Sequence, residues 1–582
     1  MTTLHCLIWR LILIVALCTY GAAAEKKSPE DRECVVSNGT TSAEGGARAM
    51  RKPGEKITIT AKPPGKDLRF DQWVGNIEFL ADAKAPESTL TMPAAGYEFA
   101  HVHVSAAYRS TAPKPFVHPL FADRMVLQRD VAAPVWGWAQ PGEKVTVEFA
   151  AQKKAATADV AGKWIVKLDP LSASAEPRTL AVSGSNPQTA IRNPQFRDVL
   201  VGDVWLCSGQ SNMRGQGVVA EDAANANYPQ MRALMVNPSA ESYNAAEPCE
   251  TFEGYTAKWE ITTPEAARHY SRVAFYFGEA LQQHNKVPIG LIVSSFDGSS
   301  IEAWMPRATL ASLPEYNVGG TFRPAWNLSW GGGQTPFIRY NAHIAPLAPF
   351  ALRGVLWYQG ESNANQLTSL RYRDLLALMI RDWRRLWGED ALPFIAIQLH
   401  SFGKLDTARP PSERRETWIE IEESQLAVAR KVPHTGCAVT LDLAKEQSLH
   451  PPDKKSIGKR AALVARKVAY GEDIVAYGPL YKAMKIEGEA IRVQFEGIGG
   501  ELVISGGGPL KYFAIAGEDR KFHWADARLD GDSVIVSSSN VKAPVAVRYA
   551  WGSGQEEANL FNKAGLPAAA FRTDNWKPEE KK

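Results

Sequence analysis

Five short runs between residues 199 and 441 are predominantly apolar at consecutive positions: Val199 to Cys207, Ile289 to Val293, Gly354 to Tyr358, Phe394 to Leu399 and Cys437 to Leu441. A strand that carries apolar side chains on both faces must be covered on both, which is the situation of a parallel sheet between two helical layers. The stretches between the runs supply the helices. Val273, Phe277, Ala280 and Leu281 share one helical face, and so do Tyr372, Leu375, Leu376, Met379, Trp383 and Leu386. This alternation predicts an α/β fold with a doubly wound parallel sheet. In such sheets ligands bind beyond the carboxyl ends of the strands.

Each run ends in a polar or glycine-rich loop. The first leads into Gly209-Gln210-Ser211-Asn212-Met213, the second into Ser294-Ser295-Phe296-Asp297-Gly298, and the third into Gln359-Gly360-Glu361-Ser362-Asn363. The fourth reaches His400-Ser401-Phe402-Gly403 and the fifth runs through Asp442 to Leu449-His450-Pro451. Ser211, where an apolar strand breaks into a turn, is the natural nucleophile; it needs a base for its proton and donors for the developing oxyanion. Met213 stands where an α/β-hydrolase elbow would require glycine, so that fold is excluded. Of the eleven histidines, His343, His400, His434 and His450 reach the sheet edge, and His450, restrained by the following proline, is preferred over His400. The expected oxyanion donors are the backbone N–H groups of Ser211 and Gly298 with a side-chain amide from Gln359 or Asn363. Glu361 is expected to brace the site through hydrogen bonds.

The flanks read differently. Arg10, the apolar run Leu11 to Leu17 and the small residues Ala22-Ala23-Ala24 make residues 1–24 a secretory signal peptide, so a secreted or periplasmic protein is expected. No other segment is apolar enough to span a membrane. Residues 34–110 alternate as strands, and 116–198 read as a β-sandwich domain after the Pro113-Lys114-Pro115 hinge. The α/β domain then occupies 199–484 and a C-terminal β-domain 485–576. A formal net charge of +3 over 582 residues, with no basic block interleaved with aromatics, speaks against a nucleic-acid partner. Cys34, Cys207, Cys249 and Cys437 are too scattered for a disulfide scaffold; one bridge is compatible with them, with Cys207 and Cys249 as the candidate pair. No ligand spacing points to a metal, and His101 and His103 are expected to mark a solvated strand face.

Two resemblances extend these readings. The sequence of turn, strand, Phe70-x-x-Trp73-x-Gly75, Thr89-x-Thr91-Met92-Pro93 and closing Ala106-Ala107-Tyr108 resembles the divergent β-repeat modules of bacterial surface and secreted proteins. That implies an accessory role, such as glycan or cell-surface contact. From about 118 to 576 the chain resembles the sialate O-acetylesterase family, in Gly209 to Met213, Val287-Pro288-Ile289-Gly290-Leu291, Ile301 to Met305, Arg353 to Asn363, Leu449-His450-Pro451 and Phe571-Arg572-Thr573-Asp574. The resemblance implies an SGNH-hydrolase-like, flavodoxin-like sheet flanked by all-β domains, acting on O-acetylated carbohydrate without metal or cofactor. Ser211 and His450 carry over as nucleophile and base. Two departures stand out. The family's Trp-Gly-Gly is here Phe296-Asp297-Gly298, and its aspartate two or three residues before the histidine is replaced by Gln447 and Ser448, leaving Glu446 or Asp442 as the candidate acid. The leading expectation is an exported carbohydrate O-acetylesterase; the alternative is a weakly active or inactive carbohydrate-binding protein on the same scaffold.

Overall fold

The computed structural model describes residues 31–576 apart from 43–45, 96–100, 187–192, 216, 237–244, 253–257, 319–320, 323–334, 367, 406–409, 411–415 and 445–447. The expected signal peptide and Glu446 therefore lie outside the described residues. At the centre is a 15-residue strand, β1 (Gln195–Gly209), almost wholly buried from Val199 onward. Five more parallel strands join it: β2 (Tyr228–Val236), β3 (Ile289–Ser295), β4 (Gly354–Tyr358), β5 (Phe394–Ile397) and β6 (Thr435–Ala438), in the order β2-β3-β1-β4-β5-β6. Trp259–Thr262 adds an antiparallel strand outside β2. β2 is not among the apolar runs that the sequence marks as strands.

Helices cover both faces. Trp205 lies opposite Gly354 and Ser208 opposite Trp357, so the two indoles leave the sheet on opposite sides. Trp205 meets Phe277 of α2 (Arg272–Asn285), with ring centroids 5.0 Å apart, and Tyr470 at the end of α5 (Lys454–Tyr470). On the other side, Trp357 packs edge-on against Trp383 of α3 (Tyr372–Trp387), which lies beside α4 (Thr417–Lys431). A further helix, α1, is one turn long (Ser211–Arg214) and follows β1 directly.

The strands of 116–198 do not form a body separate from this layer. The first half of β1 pairs antiparallel with Ser174–Gly184 and parallel with Val126–Gln128, while its second half pairs with β3 and β4. The expected boundary at 198/199 thus falls inside one strand, and one continuous core runs from Leu120 to Ala465. Asp203 marks the join. Its fully buried carboxylate accepts from Arg129 (2.9 Å), Arg353 (3.2 Å) and Tyr470 (3.0 Å).

The segment 32–110 folds as two small sheets around Trp73, Ile59, Leu90 and Val104. Its Val74 and Ala107 pack against Ala246, Phe337 and Ile338 of the α/β layer. His103 is buried within it, not solvated as the alternation suggests; its Nε2 lies 2.8 Å from Ser37 Oγ, and burial pushes its pKa down to about 4. The C-terminal strands form a separate core that also takes in Ile419, Val439 and Leu441. Cys207 is sealed inside β1 and forms no disulfide with Cys249, so the expected bridge is absent.

The end of β1 leaves no room for a side chain. Gly209 has φ +142°, and a Cβ there would sit 2.1 Å from the Tyr358 carbonyl oxygen. Gly209→Ala is expected to push β1 and β4 apart and to destabilise the protein by about 1–3 kcal/mol, as overpacking does. A fall in the urea midpoint of unfolding checks this.

Candidate active site

The close approach of β1 to β4 fixes where the chain turns. Gln210 N–H donates to the Tyr358 carbonyl (3.1 Å) and Phe296 N–H to the Gly209 carbonyl (3.0 Å), so the strand ends are tied before α1 begins. Ser211 opens α1, where the backbone N–H has no partner within the helix. Further on, Ser271 Oγ donates to the Met213 carbonyl (2.5 Å), and Met213 itself is fully buried, filling the place that an elbow glycine would leave open.

Across from this turn, His450 Nε2 lies 2.8 Å from Ser211 Oγ. The two residues are 239 positions apart in sequence and come from loops at the same end of the sheet. The His450 loop precedes α5, whose start is capped by Asp453 accepting from Ser456 N–H (2.9 Å). Burial and the charge of Lys454 hold the His450 ring below the ordinary imidazole value, while Asp297 pulls it the other way. Asp297 is exposed at the rim, where it pairs with Arg214 of α1 (3.1 Å). Gly298, next to it, has φ +64°, a left-handed backbone that glycine adopts without strain.

Beneath Ser211 lies a chain of buried polar groups, in which the sequence marks Glu361 as a brace but not its partners. Asn212 Oδ1 accepts from Lys454 Nζ, and Asn212 Nδ2 donates both to Glu361 Oε1 and to the Leu449 carbonyl (3.1 Å). Burial pushes the Lys454 ammonium down to about 7 and the Glu361 carboxyl up, each opposed by the charge of the other. Lys454 also sits over the Tyr358 ring, 4.9 Å from its centroid. Asn212 lies in the Gly209 to Met213 stretch and Lys454 in a helical first turn, but nothing local in the sequence predicts that they meet.

Two expectations need correction. The amides of Gln359 and Asn363 do not face Ser211. Gln359 Nε2 is spent on the Ser299 carbonyl (3.1 Å) and Asn363 Oδ1 (2.8 Å), while Asn363 Nδ2 donates to the buried Glu302 (2.9 Å). Both side chains are fully buried, and they tie β4 to the loop after β3. Asp442 is engaged in a two-point pair with Arg460 (2.6 and 2.7 Å), and among the described residues no carboxylate hydrogen-bonds to His450. Glu446 lies outside those residues. His400 is not a competing base for Ser211, because its Nε2 donates to the Ser448 carbonyl (2.8 Å).

With this geometry in place, the likeness to known proteins is informative. Residues 201–466 match the family model of carbohydrate esterases described as sialic acid-specific acetylesterases. A sialate O-acetylesterase of Pongo abelii is 31% identical over 502 residues, spanning 77% of this chain and 90% of that protein. One of Homo sapiens is 32% identical over 406 residues, 62% of this chain and 72% of its own length. Among solved structures, a carbohydrate acetylesterase from Xanthomonas citri covers 79% of this chain and 100% of its own, with a TM-score of 0.70 and 38% identity.

The charges around His450 give a testable pH dependence. Labelling of Ser211 by a fluorophosphonate needs the neutral ring, so its rate should rise with pH through a midpoint below about 6.5, the ordinary imidazole value. Asp297→Asn removes a carboxylate that favours the protonated ring, and the midpoint should move further down. Rates measured from pH 4 to 8 check both shifts; an upward movement would contradict the assignment.

Proposed function

The chain belongs to the sialate O-acetylesterase family, and from that premise we propose that it is an exported carbohydrate O-acetylesterase, SGNH-hydrolase-like in fold, working through an acetyl–Ser211 intermediate. Hydrolysis of a carboxylic ester comes with the family. The serine mechanism rests on the 2.8 Å approach of His450 Nε2 to Ser211 Oγ at the carboxyl end of the parallel sheet. The SGNH-like reading is supported by strand order: without β2 the sheet runs β3-β1-β4-β5-β6, the flavodoxin-like 2-1-3-4-5 arrangement. Export rests on the signal-like composition of residues 1–24; among the described residues no helix is long and apolar enough to cross a membrane.

In the proposed reaction His450 Nε2 takes the Ser211 hydroxyl proton as Oγ attacks the acetyl carbonyl carbon. The backbone N–H groups of Ser211 and Gly298 donate to the oxyanion, the role expected of a side-chain amide falling away because Gln359 and Asn363 are spent elsewhere. His450 then protonates the sugar oxygen as the carbon–oxygen ester bond breaks. Water enters, gives a proton to His450 and attacks the acetyl–enzyme. Acetate leaves as Ser211 regains its proton.

The decisive measurement is acetate release from a panel of acetylated sialic acids, acetylated xylan and p-nitrophenyl acetate. Ser211→Ala is expected to lower the rate by roughly a thousandfold or more, the scale of losing a catalytic nucleophile. A Ser211→Ala protein with undiminished turnover would refute the mechanism. Sugar binding by the unaltered protein, with neither acetate release nor fluorophosphonate labelling, would identify a binding protein on the esterase scaffold.

A further inference from the structure

Two consecutive backbone carbonyls lead into His450, and each is gripped by a buried side chain from a different strand-end loop. The Ser448 carbonyl accepts from His400 Nε2 (2.8 Å), beyond β5, and the Leu449 carbonyl accepts from Asn212 Nδ2 (3.1 Å), beyond β1. His400 is 0% exposed and Asn212 1%. Ser448 Oγ adds a third clasp, donating to the His450 carbonyl (2.9 Å) and accepting from the His450 N–H (3.2 Å). We propose that His400, Asn212 and Ser448 are positioning residues of the ester-hydrolysing site, which set the His450–Ser211 spacing by holding the main chain that carries His450. The proposal rests on the Ser211–His450 mechanism.

Geometry is the reason. A histidine ring swings about two torsions from its Cα, so a ring on a loose loop samples positions ångströms apart. Once the two preceding peptides are fixed, the hydrogen bond to Ser211 Oγ is enough to settle those torsions. A misplacement of about 1 Å at such a site can cost roughly a hundredfold in rate.

His400 is suited to the task because it is a constant donor. A carbonyl can only accept, so Nε2 carries the ring proton, and Nδ1 is buried without a hydrogen-bond partner among the described residues. Burial pushes its pKa down to about 4, which leaves the ring neutral over the working range of an esterase. Its own placement is fixed in turn: Trp418 Nε1 donates to the His400 carbonyl (2.7 Å) and the Trp418 ring packs edge-on against the imidazole. Asn212 is equally constrained, since its amide already joins Lys454 and Glu361.

The test uses the full chain with p-nitrophenyl acetate. His400→Leu keeps an apolar filling but removes the donor, and kcat should fall roughly ten- to hundredfold with KM within about twofold. His400→Gln, whose amide N–H can reach the same carbonyl, should restore most of that loss. Equal losses in the two variants, or a kcat for His400→Leu within twofold of the parent, would overturn the proposal. Should His400→Leu fail to fold, Ser448→Ala at its partly exposed position still decides the matter. It is expected to lower kcat several-fold at unchanged KM, and an unchanged kcat there overturns the proposal by itself. Ser211→Ala separates the two ideas. If it stays active, the serine mechanism falls and the positioning role with it; if it is inert while His400→Leu and Ser448→Ala run at the parental kcat, only the positioning role falls.

Discussion

Everything in this protein is referred to the pairing of β1. A single strand hydrogen-bonds on its first half to Ser174–Gly184 and Val126–Gln128, and on its second half to β3 and β4. The β-rich segment 116–198 and the α/β layer therefore share one sheet, and neither can rotate against the other without breaking strand pairs. Asp203, at the changeover, collects Arg129 from one side and Arg353 and Tyr470 from the other. A carboxylate this deeply buried is tolerated because several donors satisfy it. The strand ends in Gly209, pressed against Tyr358, so that Ser211 emerges at a position set by main-chain geometry before any side chain of the site is considered.

Main-chain geometry alone would leave the histidine loop unplaced. The link is the amide of Asn212, which touches the third loop through Glu361, the His450 loop through Leu449 and α5 through Lys454. Each buried charge in that chain is costly alone, and the network is favourable only while complete. Lys454 and Glu361 thus hold one another in place through a neutral amide, and the serine turn is rigid because it is the middle of that chain. The same lysine contributes a positive field at His450, which disfavours protonation of the ring.

How much of this was legible in the sequence follows from how far each signal is local. The five apolar runs and their polar ends are patterns within a few residues, and all five appear as parallel strands with their loops at one edge. β2 escaped because its sequence, Tyr-Pro-Gln-Met-Arg-Ala-Leu-Met-Val, has a proline and an arginine in it; the arginine is buried only because Asp198 pairs with it at 3.1 Å. The 198/199 boundary was misplaced because composition changes there while the strand does not. Amides at strand ends are suited to an oxyanion, which is what the sequence suggests for Gln359 and Asn363. Glu302, 61 residues away in sequence, takes the Asn363 amide, and Gln359 donates to Asn363 and to the Ser299 carbonyl, a buried network that no local pattern announces. His103 and the Cys207–Cys249 pairing failed for the same reason: burial and distance are tertiary facts.

The absence of an aspartate at 447 or 448 separates two tasks that a carboxylate behind a histidine performs together. Such a carboxylate orients the ring, and it also stabilises the imidazolium that forms as the serine proton is taken. Grips on the Ser448 and Leu449 carbonyls accomplish the first task and contribute nothing to the second, because they are neutral and reach the main chain, not the ring. What charge stabilisation His450 receives among the described residues comes from Asp297, across the mouth of the site and shared with Arg214, against the opposing field of Lys454. Among the described residues the base is therefore well placed but held weak by burial and Lys454. A weak base leaves as a strong acid, so such a site favours the half of the reaction in which the ring returns its proton to a sugar oxygen, a poor leaving group that most needs it.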